Sequence, residues 1–384
     1  VGPSPEHIAL MGDKAAARNA VTKAKVPVVP GIHIFAKSPD AITTAYTWAS
    51  TATFPILLKA AHGGGGKAMK KVDSLDQFFD AWHSVCHQAN TLFGSSDLVI
   101  EEYIKEARHV EIQVAGDGTD AIHFFERECT IQRRHQKIIE ETPCNFVSSA
   151  TLSKMYEVSL NMIRSINYRS IGTIEFIVTP SEQFYFLEMN TRLQVEHAIT
   201  EITCSIDLVA LQLTLAEGET LPYSQKNIVR NGHAIECRIN AETNAFVPSS
   251  GVVQNLRIPS LPFIRFDHAL TEGIEISPFF DSMIGKLIAF GPTREYARSS
   301  MLAALKKTHI EGIATNIQHH RAILQSIDFV QGNFSTQWLE RTELDPINDE
   351  QDNSLAIIAA LLANSIVQNT STTPREDSHW RTSS

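Results

Sequence analysis

Glu188-Met189-Asn190-Thr191-Arg192-Leu193-Gln194-Val195-Glu196-His197 is the stretch of this sequence densest in chemically capable residues. An extended chain sends alternate side chains to opposite faces, so Glu188, Asn190, Arg192, Gln194 and Glu196 would share one side. Carboxylate and amide oxygens are hard metal ligands, and a guanidinium is a planar fork for anions. The row therefore reads as a site holding a divalent cation beside an oxyanion. The same alternation also fits the wet face of an edge strand. Such faces usually mix Lys, Glu and Thr, which this row does not.

Four glycines, Gly63, Gly64, Gly65 and Gly66, lie between Lys59 and Lys67. Their amides are free to approach a polyphosphate, with a lysine on either side, although a plain flexible loop has the same composition. Lys67 is followed by Ala68 rather than Ser or Thr, and position 61 is alanine, so this is not a Walker A loop. A mobile lid suits it better. Glu175 joins Glu188 and Asn190 as a third oxygen ligand from a neighbouring strand, a set suited to Mg²⁺ or Mn²⁺ bridging nucleotide phosphates. The basic run Gln132-Arg133-Arg134-His135-Gln136-Lys137 fits a solvated face or an anion site; in a chain of net charge -10 the anion site is preferred. His109 taken by itself is more often a satisfied structural histidine than a ligand.

The elements that position these groups follow from periodicity and breakers. Two short helices opened by Ser4-Pro5 and Asp13 run into Val26-Pro27-Val28-Val29-Pro30-Gly31 and read as a connector. A small α+β unit surrounds the glycine loop. Strands from Val110 to Ala115 and Ala121 to Arg127 flank Gly116-Asp117-Gly118 as a hairpin. A second hairpin pairs Thr173 to Val178 with Gln183 to Asn190, bringing Glu175 beside Glu188. Helices are expected near Leu152 to Ile166, Asp207 to Glu217, Arg294 to Lys307, Thr315 to Ser326 and Ser354 to Val367.

At 384 residues, 43% hydrophobic and 20% charged, the chain can bury two or three domain cores. Its acidity argues against a nucleic-acid partner. No apolar run reaches the ~18 residues of a membrane span. Five cysteines without a CxxC pair suggest neither a disulfide framework nor a zinc site, and point to a reducing compartment.

Taken together, the motifs resemble the biotin carboxylase component of biotin-dependent carboxylases, an ATP-grasp fold. Those that carry the resemblance are Met11-Gly12-Asp13-Lys14, Gly63 to Met69, Arg108 to Val114, Gln132 to Lys137, Glu188 to His197, Glu236 to Glu242 and Phe280 to Leu287. They span roughly residues 1 to 340. Gly332 to Glu340 looks more like acyl-CoA carboxylase α subunits than free-standing carboxylases. The resemblance implies an α+β fold with connector helices at 1–31, an ATP-grasp lid at 32–103, an ATP-grasp core at 104–229, a biotin carboxylase C-terminal domain at 230–342 and a linker or tail at 343–384.

The resemblance also implies residue roles. Lys14 and Lys59 would contact ATP phosphates under the glycine loop. Glu101 would lie by the adenine, His109 and Gln132 near the nucleotide, and His135 near the phosphates. Glu175, Glu188 and Asn190 would hold Mg²⁺ or Mn²⁺. Lys137, Arg192, Gln194 and the Val195 amide would surround bicarbonate, with Glu196 as its base and Arg192 favouring the ionised carboxylate. Arg238 would stabilise the enolate-like form of biotin. Biotin would arrive on a separate carrier domain or protein, because Ala68-Met69-Lys70 lacks the flanks of an attachment sequence. A carboxyltransferase partner, an oligomeric enzyme and a cytoplasmic location, or the mitochondrial matrix in a eukaryote, are further implications.

Three positions depart from the family pattern: Ala68 where the lid usually has another glycine, Ala198 where proline commonly stands, and Thr243 where an acid is usual. The family also carries an N-terminal lobe ahead of the first matching motif, and it is expected to lie outside these residues. Two other readings stay open: a catalytically impaired nucleotide-binding fragment or packing module, and an ATP-grasp ligase for a different acceptor such as urea.

Overall fold

A computed structural model describes residues 1–62, 67–243, 246–344 and 347. Gly63 to Gly66, most of the expected tail and the helix expected at Ser354 to Val367 lie outside the described residues. Helix α1 (Pro5–Gly12) starts where Ser4 Oγ accepts the His7 amide. Helix α2 (Lys14–Lys23) starts where Asp13 accepts the amides of Ala15 and Ala16 at 2.8 and 3.0 Å. Each cap satisfies donors that the first helical turn leaves without partners. These helices do more than connect: Met11, Ala17, Val21 and Val26 belong to the core of the main sheet.

Strands β1 (Gly31–Ile34), β2 (Ile56–Ala60), β3 (Met69–Val72) and β4 (Leu98–Glu102) form an antiparallel sheet in the order β1-β4-β2-β3. Helix α3 (Ala41–Thr51) offers it Ala41, Ala45 and Ala49, and α4 (Phe78–Phe93) offers Phe78, Trp82, Val85 and Ala89. Spacings of three and four residues put each set on one helical face. Ala68, just before β3, is buried at φ 51°, in the left-handed region that the family's glycine would occupy without steric cost.

Then come β5 (Arg108–Asp117), β6 (Ala121–Arg133), β7 (Gln136–Thr142), β8 (Arg169–Val178), β9 (Phe184–Asn190) and β10 (His233–Asn240). Short strands β11 (Gly251–Val252) and β12 (Asn255–Arg257) are followed by β13 (Ile264–His268), β14 (Glu275–Ile276), β15 (Met283–Gly291) and β16 (His309–Glu311). One antiparallel sheet runs β13-β15-β10-β7-β6-β5-β8-β9, and the small pairs are β11-β14 and β12-β16. Period-2 patterning gives β5 two unlike faces. Val110, Ile112 and Val114 pack with Met155, Met162 and Ile163 of helix α5 (Ser149–Ser165), while His109, Glu111 and Gln113 are buried on the other face.

The stretch from Glu188 to His197 is not one extended strand, which corrects the sequence expectation. Pairing of β9 with β8 ends at Asn190 opposite Thr173, and helix α6 (His197–Cys204) begins after Glu196 at its N-cap position. Local bonds take the place of a ladder: Arg192 donates to Gln194 Oε1 at 3.1 Å, and His197 Nδ1 lies 2.7 Å from the Gln194 carbonyl oxygen. Side chains that bond to nearby backbone or to each other compete with strand pairing. The expected pairing of Glu175 with Glu188 is observed.

Helix α7 (Leu208–Ala216) covers the sheet near β8. Helix α8 (Arg294–Lys307), with the bounds expected from sequence, and helix α9 (Ile317–Gln325) pack on β10 and β15 through Met301, Leu305, Ile323 and Leu324. The strand order places β10 beside β7, so Arg238 and Lys137, 101 positions apart in sequence, come to one part of the sheet.

Candidate active site

A cleft of about 460 Å³ lies where the lid sheet faces the polar side of the main sheet. Lys59 and Glu101 line it from the lid sheet and Lys14 from the start of α2. His109, Gln132, His135, Lys137, Glu175, Glu188, Asn190, Arg192, Gln194 and Arg238 line it from the main sheet and its loops. A second cavity of about 390 Å³ includes Arg108, Phe146 and Phe334, but Arg108 is engaged with Glu128 at 2.5 Å and stacked over both rings.

Lys137 is the hub of the main-sheet side. Its Nζ donates to Glu111, to Glu175 Oε1 at 2.7 Å and to Glu196 Oε1 at 2.7 Å. Arg238 donates through Nε to Glu140 Oε1 at 2.6 Å and through an NH group to Glu196 Oε2 at 2.9 Å. Glu196 is wholly buried and does not itself line the cleft; Lys137 and Arg238, which do, cover it. Burial pushes the Glu196 carboxyl upward, but Lys137, Arg238 and Arg127 more than offset this and hold it well below the usual carboxylate range. The ionising partners are thus not Arg192, as expected from sequence, because Arg192 is turned toward Gln194.

Glu175 and Glu188 face each other across β8 and β9. The Asn190 amide lies 2.9 Å from Glu175 Oε1 and 3.3 Å from Glu188 Oε1. Burial would raise Glu175, but Lys137 and His109 lower it to about 2. This donor set of two carboxylates and an amide fits Mg²⁺ or Mn²⁺. Two other groupings, His109 with Glu111 and Glu175, and Glu111 with Cys129 and Glu196, are tight enough for an ion. Both already contain a cation, because Lys137 contacts Glu111, Glu175 and Glu196. Gln132 Nε2 donates to His109 Nδ1 at 2.6 Å, which leaves the ring proton on Nε2, 2.9 Å from Glu175 Oε2.

On the lid side Lys59 pairs with Glu101. Burial and then the Lys59 charge depress the Lys14 ammonium, a repulsion that a polyphosphate would relieve. The basic run divides its labour. Arg133 is bonded to Glu242 at 2.8 Å and stacked over Phe246, which removes it from the expected anion set. Arg134 and His135 form the two-residue turn of the β6-β7 hairpin, with φ of 50° and 63°. Such turns favour Asn-Gly because both central residues need positive φ. The Val195 carbonyl accepts from Lys286, and Val195 does not line the cleft.

Sequence reasoning missed Glu111, Arg127 and Glu140. Arg127 is fully buried and donates to Glu111 at 2.5 Å, Gln113 at 2.7 Å and Thr200 at 3.0 Å. Glu140 is raised to about 7 by burial, despite the neighbouring Arg238. The available signal was polar alternation inside strands, as in His109, Glu111 and Gln113, where the opposite face is apolar.

Residues 13–224 match the family described as the ATP binding domain of the carbamoyl-phosphate synthase L chain, and residues 236–341 match the biotin carboxylase C-terminal domain. A biotin carboxylase of Nostoc sp. is 40% identical over 343 residues, covering 88% of this chain and 76% of the relative. The chain belongs to the biotin carboxylase family. Among solved biotin carboxylases, the domain dimer of Hydrogenobacter thermophilus 2-oxoglutarate carboxylase, in complex with MgADP, ADP and bicarbonate, superposes with a TM-score of 0.84 at 39% identity, covering 88% of this chain and 75% of that one. Similarity extends to the mitochondrial methylcrotonoyl-CoA carboxylase subunit alpha of Oryza sativa, 39% identical over 90% of this chain and 47% of the relative. In this biotin carboxylase fold the cleft draws on both matched segments, with Lys137 and Glu175 from the first and Arg238 from the second, while Glu196 of the first lies buried behind Lys137 and Arg238. Among the described residues no single helix is long and apolar enough to cross a membrane.

Proposed function

We propose that the chain catalyses ATP-dependent carboxylation of biotin by bicarbonate through carboxyphosphate, as the biotin carboxylase component of an acyl-CoA carboxylase-type enzyme. The observation that carries the reading is the enclosed Glu196 carboxylate, gripped by Lys137 on one oxygen and Arg238 on the other at the wall of a cleft with phosphate-type and metal-type ligands.

Bicarbonate is a poor nucleophile and a poor electrophile, so ATP must activate it. Lys14 and Lys59 bind the ATP phosphates and offset their charge. Glu175, Glu188 and Asn190 would hold a divalent cation, which would supply positive charge against the nucleotide phosphates. Lys137, Arg192 and Gln194 orient bicarbonate. Glu196, ionised by its neighbours, takes the bicarbonate proton while an oxygen of bicarbonate attacks the γ-phosphorus, giving ADP and carboxyphosphate. Carboxyphosphate breaks down to CO₂ and phosphate, which accepts the ureido N–H proton of biotin. Arg238 stabilises the resulting enolate-like ureido oxygen as the nitrogen attacks CO₂.

Biotin reaches this cleft on a carrier domain or protein, and a carboxyltransferase passes the carboxyl group onward within an oligomeric enzyme. A compartment that keeps thiols reduced, the cytoplasm or in a eukaryote an organelle matrix, suits five free cysteines. The test is phosphate release from ATP with free biotin, with and without bicarbonate. Release that requires bicarbonate and rises with biotin supports the reading; release indifferent to bicarbonate overturns it.

A further inference from the structure

Helix α9 and its N-cap residue bring two side chains to the main chain of β10 at the residue whose guanidinium reaches Glu196. Asn316 accepts the Asn240 amide on Oδ1 at 2.9 Å and donates from Nδ2 to the Arg238 carbonyl oxygen at 3.0 Å. Its own backbone N–H donates to the Asn240 carbonyl oxygen at 3.2 Å. One turn on, His320 Nε2 lies 2.7 Å from the same Arg238 carbonyl. His320 is fully buried and its Nδ1 has no partner, so the ring proton belongs on Nε2 and the ring donates.

The sheet explains why side chains are needed here. Pairing of β10 with β7 stops at Cys237, and its ladder with β15 shifts register between Ile239 and Asn240. From Arg238 to Asn240 the strand has therefore lost one partner and is bulged against the other. Buried backbone groups left in that state are costly. Asn316 bonds to the strand much as a neighbouring strand would, and His320 adds a second donor to the carbonyl of Arg238. Neither side chain lines the cleft.

We propose that Asn316 and His320 are positioning residues for biotin carboxylation: they fix the Arg238 main chain at the β10 bulge and so aim its guanidinium between Glu140 and Glu196. The inference rests on the role given to Arg238 above, and it goes beyond it by assigning His320 of α9 and its N-cap residue Asn316 to the same step.

The experiment compares His320→Leu, His320→Gln, Asn316→Asp and Arg238→Gln in the full chain, using free biotin as the varied substrate. His320→Leu cannot donate, and Asn316→Asp keeps the acceptor for Asn240 but loses the donor to Arg238. Both are expected to lower kcat/KM for biotin by roughly ten- to a hundredfold, the scale of a misplaced catalytic group, with KM for ATP held within about twofold. His320→Gln, which keeps an N–H donor, is expected to recover most of the loss. Amide hydrogen exchange across β10 should quicken in His320→Leu and Asn316→Asp whatever the turnover. Wild-type biotin kinetics in both, unaccelerated exchange, or equal loss of the ATP and biotin parameters overturns the proposal. If Arg238→Gln itself keeps wild-type biotin kinetics, the role of Arg238 fails and the inference with it. If only Arg238→Gln is impaired, the inference alone fails.

Discussion

Lys137 Nζ lies 2.7 Å from Glu196 Oε1 in a setting where Glu196 has no solvent contact. A buried carboxylate would ordinarily hold its proton, so this ammonium, with Arg238, is what keeps the Glu196 carboxyl ionised at neutral pH. Lys137→Met should therefore leave Glu111, Glu175 and Glu196 crowded without their shared cation. The expected cost is about 3–5 kcal/mol in unfolding free energy, the scale for breaking a buried ion pair. The acid limb of the pH–rate profile should move upward as the Glu196 proton becomes harder to remove. Chemical denaturation and a pH profile of bicarbonate-dependent ATP cleavage check the two parts.

Glu140 gives a pH dependence of opposite sign to most carboxylates. Burial raises it from 4.5 to about 7, so the folded protein holds that proton more tightly than the unfolded chain. Its contribution to stability is complete below about pH 4.5 and is lost as pH rises toward 7. Glu140→Gln should remove that fall, on the order of 3 kcal/mol across the window, in the difference between wild-type and variant unfolding curves. His320 is lowered to about 4 by burial and acts the other way, its contribution being lost as pH falls below 6.5, which is why the difference is the quantity to measure.

Glu188 faces Glu175 across the last strand pair and, unlike Glu175, is only half-buried. Glu188→Gln should raise the Mg²⁺ concentration needed for half-maximal ATP protection by roughly tenfold, read as the rise in Tm on adding nucleotide. EDTA should abolish most of that rise in the wild type. An unchanged Mg²⁺ requirement would remove Glu188 from the set.

Ala68 sits at φ 51° beside the glycine run. Ala68→Gly should relieve about 1 kcal/mol of backbone strain, at the expense of one small buried side chain. Hydrogen exchange over β2 and β3 is expected to slow or stay level; faster exchange would show that the methyl packing outweighs the strain.

Much of the architecture was legible because its signals are local. Ser4 and Asp13 announce helices through their caps, and Gly116-Asp117-Gly118 marks the hairpin between β5 and β6. The residues around the cleft were legible as types in motifs, from Lys14 to Arg238. Their partners were not. Arg127 meets Glu111 only through the β5-β6 register, and Arg133 meets Glu242 across 109 positions. The turn after Asn190 is hidden for a related reason: period-2 polarity fits a strand, whereas Arg192, Gln194 and His197 bond locally and end it.

The most direct measurement is bicarbonate-dependent ATP cleavage by Glu196→Gln, alongside nucleotide binding by the same protein. Glutamine keeps the shape between Lys137 and Arg238 but cannot accept the bicarbonate proton. Cleavage is expected to fall by at least about a hundredfold, the scale of a lost general base, with ATP affinity held within a few-fold. Wild-type turnover in Glu196→Gln, with bicarbonate still required, would contradict the assignment of this buried carboxylate as the base.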